Sequence, residues 1–161
     1  MADDRTAATF RLERFYTGTV HGWGHLIDHR GRREHAMTAT LRGEWDGTAL
    51  TLDQRFVPDG APMERRVWLI RPVDGGYVGT APSIAGIANG TWVGHTLRWI
   101  YDMDAAAGAE TWRVSCEEEL TPQTDNVAVS RVRIVKFGLL IAEMQLILSR
   151  SKPLDAPEPE C

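Results

Sequence analysis

The chain has 161 residues, 43% of them hydrophobic and 25% charged, and its 18 basic and 22 acidic side chains give a net charge of −4. That length suffices for one domain with a full core or an enclosed cavity, and the composition is that of an ordinary globular protein rather than a disordered one. The acidic balance speaks against non-specific nucleic-acid binding, which needs clustered positive charge.

Met1 to Arg5 is followed by no apolar run of the roughly 7–15 residues a signal peptide requires, and no stretch reaches the about 18 apolar residues of a membrane-spanning helix. The longest apolar run, Phe137 to Ala142, stops at Glu143. The expectation is a cytoplasmic protein with a flexible N-terminus over residues 1–8. Thr9 to Tyr16, carrying Phe10, Leu12, Phe15 and Tyr16, predicts a short helix that plugs or covers one end of the domain.

From there the hydrophobic pattern has a period of two. Leu50, Leu52 and Phe56 alternate with Thr51, Asp53 and Arg55; Leu97, Trp99, Tyr101 and Met103 alternate with Arg98 and Asp102. Trp112, Val114, Cys116 and Leu120 alternate with Arg113, Ser115 and Glu117, and Leu140, Ala142, Met144, Leu146 and Leu148 share one side of a last segment. Successive side chains of a strand point to opposite faces, so these are half-buried β-strands. About ten are predicted, over 18–29, 33–46, 48–57, 63–73, 76–81, 86–92, 95–104, 109–120, 127–137 and 139–150.

Asp46-Gly47, Asp59-Gly60 and Asp74-Gly75-Gly76 lie where tight hairpin turns belong, while Ala105 to Gly108 and Thr121 to Asn126 read as longer connections. Short links without a crossover favour an all-β, antiparallel up-and-down barrel over a Greek-key sandwich, because closure removes exposed edges. The barrel domain is expected over 9–152. Residues 153–161, with three prolines and three acids, are expected to form a disordered tail.

Two cysteines, Cys116 and Cys161, make neither a disulfide framework nor a metal cluster. His21, His25 and His29 would stack at about 6 Å on a helix, but Gly22 and Gly24 disfavour one, and a strand sets neighbours about 13 Å apart, too far for a shared ion. No metal site is assigned. Gly22-Trp23-Gly24 lacks the third glycine and the following helix of a dinucleotide fingerprint, and neither a P-loop nor a nucleophile elbow is present, so no cofactor is implied. Asp102 and Asp104 share a strand face, and read as a solvated strand end rather than a cation site.

Glu117-Glu118-Glu119 is more informative. Alternation places Glu118 on the side of Trp112, Val114, Cys116 and Leu120, and Gln54 among Leu50, Leu52 and Phe56. A charge among apolar side chains costs several kcal/mol unless paired or neutralised. Arg66, two residues before Trp68 on the same face, and Arg131 are the basic candidates to meet it. Such a cluster suits an acid–base site or a polar head-group clamp; a structural ion pair, or a one-residue slip that turns the whole set outward, is the plainer alternative. The tryptophans, six in all, line a cavity or fill the core.

The order of short motifs resembles a bacterial family known as domain of unknown function 3833. The pattern runs from Phe10-x-Leu-Glu13 through Gly22-Trp23-Gly24, Asp28-x-x-Gly31, Leu52-x-Gln54-x-Phe56 and Arg66-x-Trp68. It continues through Tyr77-x-Gly79-x-Ala81, Gly86-x-Ala88-x-Gly90, Trp99-x-Tyr101, Arg131, Lys136-Phe137-Gly138 and Glu143, covering nearly the whole domain. The resemblance implies a lipocalin-like β-barrel without an established activity. It also implies a link to fatty acids or membrane lipids, because many members are lipoproteins or companions of lipid-modifying enzymes. The lipoprotein signal is not seen here, Gln54 stands where glutamate is expected, and Glu117-Glu118-Glu119 where Asp-Asp-Trp is expected.

The leading expectation is binding of a small lipophilic molecule, with its apolar stem on Trp23, Trp68, Trp99, Tyr101 and Trp112 and its polar head at Gln54, Arg66, Glu118 and Arg131. A continuous void of at least about 300 Å³ touching Arg66 or Glu118 would mark such a site. The rival is a cofactor-free isomerase, dehydratase or hydrolase with Glu118 as general acid or base and Arg66 or Arg131 stabilising an oxyanion. A third reading is an accessory protein whose barrel meets a partner enzyme or a membrane surface through an exposed apolar patch.

Overall fold

The computed structural model describes residues 10–107 and 109–151; the expected flexible N-terminus, the tail over 153–161 and Cys161 lie outside the described residues. Among the described residues a helical turn, α1 (Leu12–Phe15), precedes ten strands: β1 (Gly18–Asp28), β2 (Arg33–Trp45), β3 (Leu50–Pro58), β4 (Glu64–Val73), β5 (Gly76–Thr80), β6 (Ile84–Val93), β7 (Thr96–Ala107), β8 (Glu110–Pro122), β9 (Val127–Lys136) and β10 (Leu139–Ser149). Each strand pairs antiparallel with its neighbours in sequence, and β1 pairs with β10, from His21 opposite Ser149 to Asp28 opposite Ala142. The expected up-and-down barrel is therefore closed.

The alternation works as its chemistry requires. Leu50, Leu52 and Phe56 of β3 are buried, as are Leu97, Trp99, Tyr101 and Met103 of β7, while Thr51, Asp53, Arg55, Arg98 and Asp102 lie on the outer face. Gly47 (φ 96°) and Gly60 (φ 74°) supply the left-handed backbone at two of the expected turns.

Four expectations are corrected. Ala105 to Ala107 do not form a connection: β7 runs through them, with Ala107 opposite Glu110. The sixth strand begins at Ile84 because a bulge between Ala85 and Asn89 absorbs the residues around Gly86 (φ 70°). Leu140 leaves the inward row of β10 because a second bulge, between Leu140 and Ala142, shifts the parity. The helix is shorter than the expected 9–16, because Arg11 at its N-cap is extended and offers no capping side chain.

α1 closes one end. Leu12 and Phe15 are each 1% exposed, and the Phe15 ring lies 5.2 Å from Phe10 and 5.0 Å from Tyr16. Tyr77 Oη accepts from Leu12 N at 3.1 Å and donates to Glu13 Oε2 at 2.9 Å, pinning the turn to β5. The expected plug is thus in place. The opposite end, where Asp28, Pro58, Glu64 and Trp112 sit, opens to solvent.

Candidate ligand-binding cavity

Strand parity assembles the cavity. β3 turns Gln54 inward, β4 Arg66 and Trp68, β7 Tyr101, and β8 Trp112, Cys116 and Glu118. The register sets Gln54 directly opposite Arg66, Tyr101 opposite Cys116, and Glu118 opposite Val132 of β9. Together they surround a void of about 170 Å³ that reaches from Glu118 to the open end. Met37, Met103 and Met144 line its walls, which suits ligands of more than one shape because methionine is flexible and polarisable. The volume is below the roughly 300 Å³ expected of a site for a drug-sized ligand.

Few polar groups meet there, and each is oriented. Arg66 Nε donates to Ser83 Oγ at 3.2 Å, Trp68 Nε1 donates to Gln54 Oε1 at 2.9 Å, and Ser130 Oγ donates to Glu118 Oε1 at 3.4 Å. Arg66 and Glu118 influence each other through the field and form no ion pair. Burial pushes the Glu118 carboxyl up to about 7, against the lowering effects of the Arg66 charge and the Ser130 hydrogen bond. The surface Glu118 retains opens onto the cavity and onto a second, water-sized void of about 20 Å³ next to Tyr16 and Trp99. Burial also pushes the Cys116 thiol up to about 12 and holds the Tyr101 hydroxyl well above its ordinary range. Of these three groups, Glu118 is the one whose charge changes near neutrality.

Not every expected residue arrives. Gln54, Arg66, Trp68, Tyr101, Trp112 and Glu118 line the cavity. Trp99 lies beneath it, its ring 6.3 Å from Trp68 and 6.4 Å from Tyr77, and belongs to the core. Arg131 points outward, with Nη2 3.4 Å from Glu143 Oε1, because Ser130 and Val132 on either side of it are the inward residues of β9. Trp23 is also on the outer face, since Val20, Gly22, Gly24 and Leu26 form the inner row of β1. Both corrections were available from parity alone. Trp112 sits at the mouth between two cations, with Arg30 and Lys136 at 5.5 and 5.4 Å from its ring.

Ser83, Ser130 and Arg30 escaped the sequence reading. Ser130 shares its parity with Val132, a signal that was present; Ser83 and Arg30 lie in connections, where parity gives none. Two of the three spaced histidines take carboxylate partners on the outside: His25 Nδ1 is 2.8 Å from Glu34 and His29 Nε2 3.0 Å from Glu143. Among the described residues no group of three His, Cys, Asp or Glu side chains gathers to hold a metal. Asp102 and Asp104 are solvent-facing and accept from Ser115 Oγ at 2.8 Å and Arg113 Nε at 2.7 Å. Cys116 is a free, buried thiol.

The family described as protein of unknown function (DUF3833) matches residues 2–150 of the chain. Among curated proteins, none matches it.

Proposed function

The chain belongs to the DUF3833 family, and from that premise we propose that its barrel binds one small amphiphilic molecule, apolar body toward the mouth and polar end at Arg66, Glu118 and Gln54. The observation that carries this reading is a guanidinium and a carboxyl turned into one apolar cavity without pairing to each other. Such groups cost free energy when buried, and a ligand oxygen placed between them would satisfy both. Apolar enclosure with a few convergent polar groups is the usual make-up of a small-molecule site.

The volume refines the ligand. A cavity of about 150 Å³ holds a molecule the size of benzene, so about 170 Å³ suits a short acyl or ring compound rather than a whole lipid. A longer fatty-acid chain would have to leave through the mouth past Trp112. The tests are native mass spectrometry after gentle purification and titration with a panel of short-chain acids, ketones and esters, read by tryptophan fluorescence. Retention of a panel member is expected, and Arg66→Leu should weaken its affinity by about tenfold or more, the equivalent of one charge-assisted hydrogen bond. A barrel that purifies empty and refuses the whole panel overturns the reading.

A further inference from the structure

Retention alone would not require Glu118. A glutamine or serine could orient a polar ligand without placing an ionisable group where its charged form is penalised. The carboxyl is also sparsely held: Oε1 receives the long 3.4 Å contact from Ser130, and no described residue donates to Oε2. Arg66 lines the same cavity and is steadied by Ser83 at Nε, and no described residue accepts a hydrogen bond from its terminal Nη groups. A base with an open oxygen and a cation with open donors, set on opposite walls of one apolar chamber, form the minimal apparatus for moving a proton next to a carbonyl.

We propose that the cavity is a reaction centre in which Glu118 moves a proton on a small carbonyl compound while Arg66 holds the oxygen, so that the protein isomerises its ligand through an enolate; this rests on the binding reading above. The ionised Glu118 takes the proton from the carbon beside the carbonyl. The C–H electron pair becomes a C=C bond, and the carbonyl π pair moves onto oxygen, where Arg66 balances the charge. Glu118, whose acid proton trades with water that reaches the cavity through the mouth, then delivers a proton to the far carbon of a β,γ-unsaturated ketone or acyl compound, or back to the α-carbon of a saturated one. The carbonyl is restored, the double bond ends in conjugation, and Glu118 is ionised again. No oxidant, reductant or second substrate is consumed.

Among the described residues, the ionisable groups nearest Glu118 are Tyr16 just after α1, Arg66 on β4, Tyr101 on β7 and Cys116 on β8, while Asp28, Arg30 and Glu64 line the same cavity toward its mouth. The two tyrosines and the thiol keep their protons well past neutral pH because burial disfavours their charged forms. The proton therefore moves at Glu118. A carboxyl that titrates at about 7 is matched to that task, because it is partly ionised at neutral pH yet basic enough to accept a carbon-bound proton.

The full chain is incubated in deuterated buffer with small saturated and β,γ-unsaturated ketones. Saturation-transfer NMR reports which compounds bind, and proton NMR follows loss of the α-proton signal and growth of the conjugated isomer. Exchange about a hundredfold or more above buffer is expected, rising with pH and levelling off above about 7. Glu118→Gln should abolish exchange and weaken binding far less, because the amide still offers the ligand a polar contact. Arg66→Lys should lower the rate more than the affinity, because it loses the planar fork at the oxyanion. Compounds that bind without exchanging overturn the reaction and leave the binding site standing. If none binds, both fall. Exchange that persists in Glu118→Gln, or that ignores pH in the wild type should the variant fail to fold, assigns the proton to another group and overturns the proposal.

Discussion

A carboxyl on the inner wall makes stability depend on pH. Glu118 ordinarily titrates at 4.5 and is raised to about 7 in the folded chain, so the native state holds its proton more tightly than the unfolded state does. Its contribution is fully present below about pH 4.5 and is lost as pH rises to about 7, a change of up to about 3 kcal/mol. Glu118→Gln has no such slope, so the variant should gain on the wild type in urea melts between pH 5 and pH 8; parallel pH profiles would place the carboxyl in water. Cys116 gives a second check. Its thiol is buried and held up at about 12, and the thiolate is the reactive form. Peptide-resolved alkylation at neutral pH should leave Cys116 unmodified until denaturant is added.

Single elements explain why certain small residues stand where they do. The inner wall is crowded by large aromatic rings, and the neighbouring strands make room with glycine: a Cβ on Gly90 would lie 2.9 Å from the Trp99 ring, and one on Gly79 3.3 Å from Trp68. The spacing of Tyr77-x-Gly79 and Ala88-x-Gly90 is thus the imprint of two indoles lying across β5 and β6. α1 is too short to be stable alone and is held by packing and by Tyr77. Tyr77→Phe removes the acceptor for Leu12 N and the donor to Glu13, which should cost about 1–2 kcal/mol. The loss should appear as a lower urea midpoint; an unchanged midpoint would mean the plug is held by its rings alone.

At the scale of the whole molecule, closure joins the first strand to the last. The β1–β10 seam brings His21 to Ser149, a contact of very high sequence separation, so folding in the millisecond-to-second range is expected. Gly24 is the tight point of that seam: a Cβ there would sit 1.8 Å from the Gln145 carbonyl oxygen. Backbone cannot yield as a side-chain tip does, so Gly24→Ala should cost about 2 kcal/mol or more, read by chemical denaturation. Near-wild-type stability would show that the seam tolerates opening. The same closure gives the molecule two unlike ends, a plugged one at α1 and an open one beneath Trp112. Among the described residues, the cavity meets solvent at the Trp112 end.

The alternation of Leu50 to Phe56, Arg66 to Trp68, Leu97 to Met103 and Trp112 to Leu120 was enough to place ten strands to within a few residues and to point Glu118, Arg66 and Gln54 to one face. Side-chain direction in a strand is a local property with period two, so one correctly placed residue fixes its neighbours. The same rule would have placed Arg131 and Trp23 outside; they were drawn inward by the chemistry expected of them. What local order cannot carry is distance across the barrel and the effect of inserted residues. That Trp99 sinks into the core while Tyr101 meets the void, that Leu140 leaves its row at a bulge, and that Ser83 steadies Arg66 all follow from how ten strands close on one another. Closure also set the void at about 170 Å³, because the space left inside depends on the sum of side chains from every strand and not on any one segment.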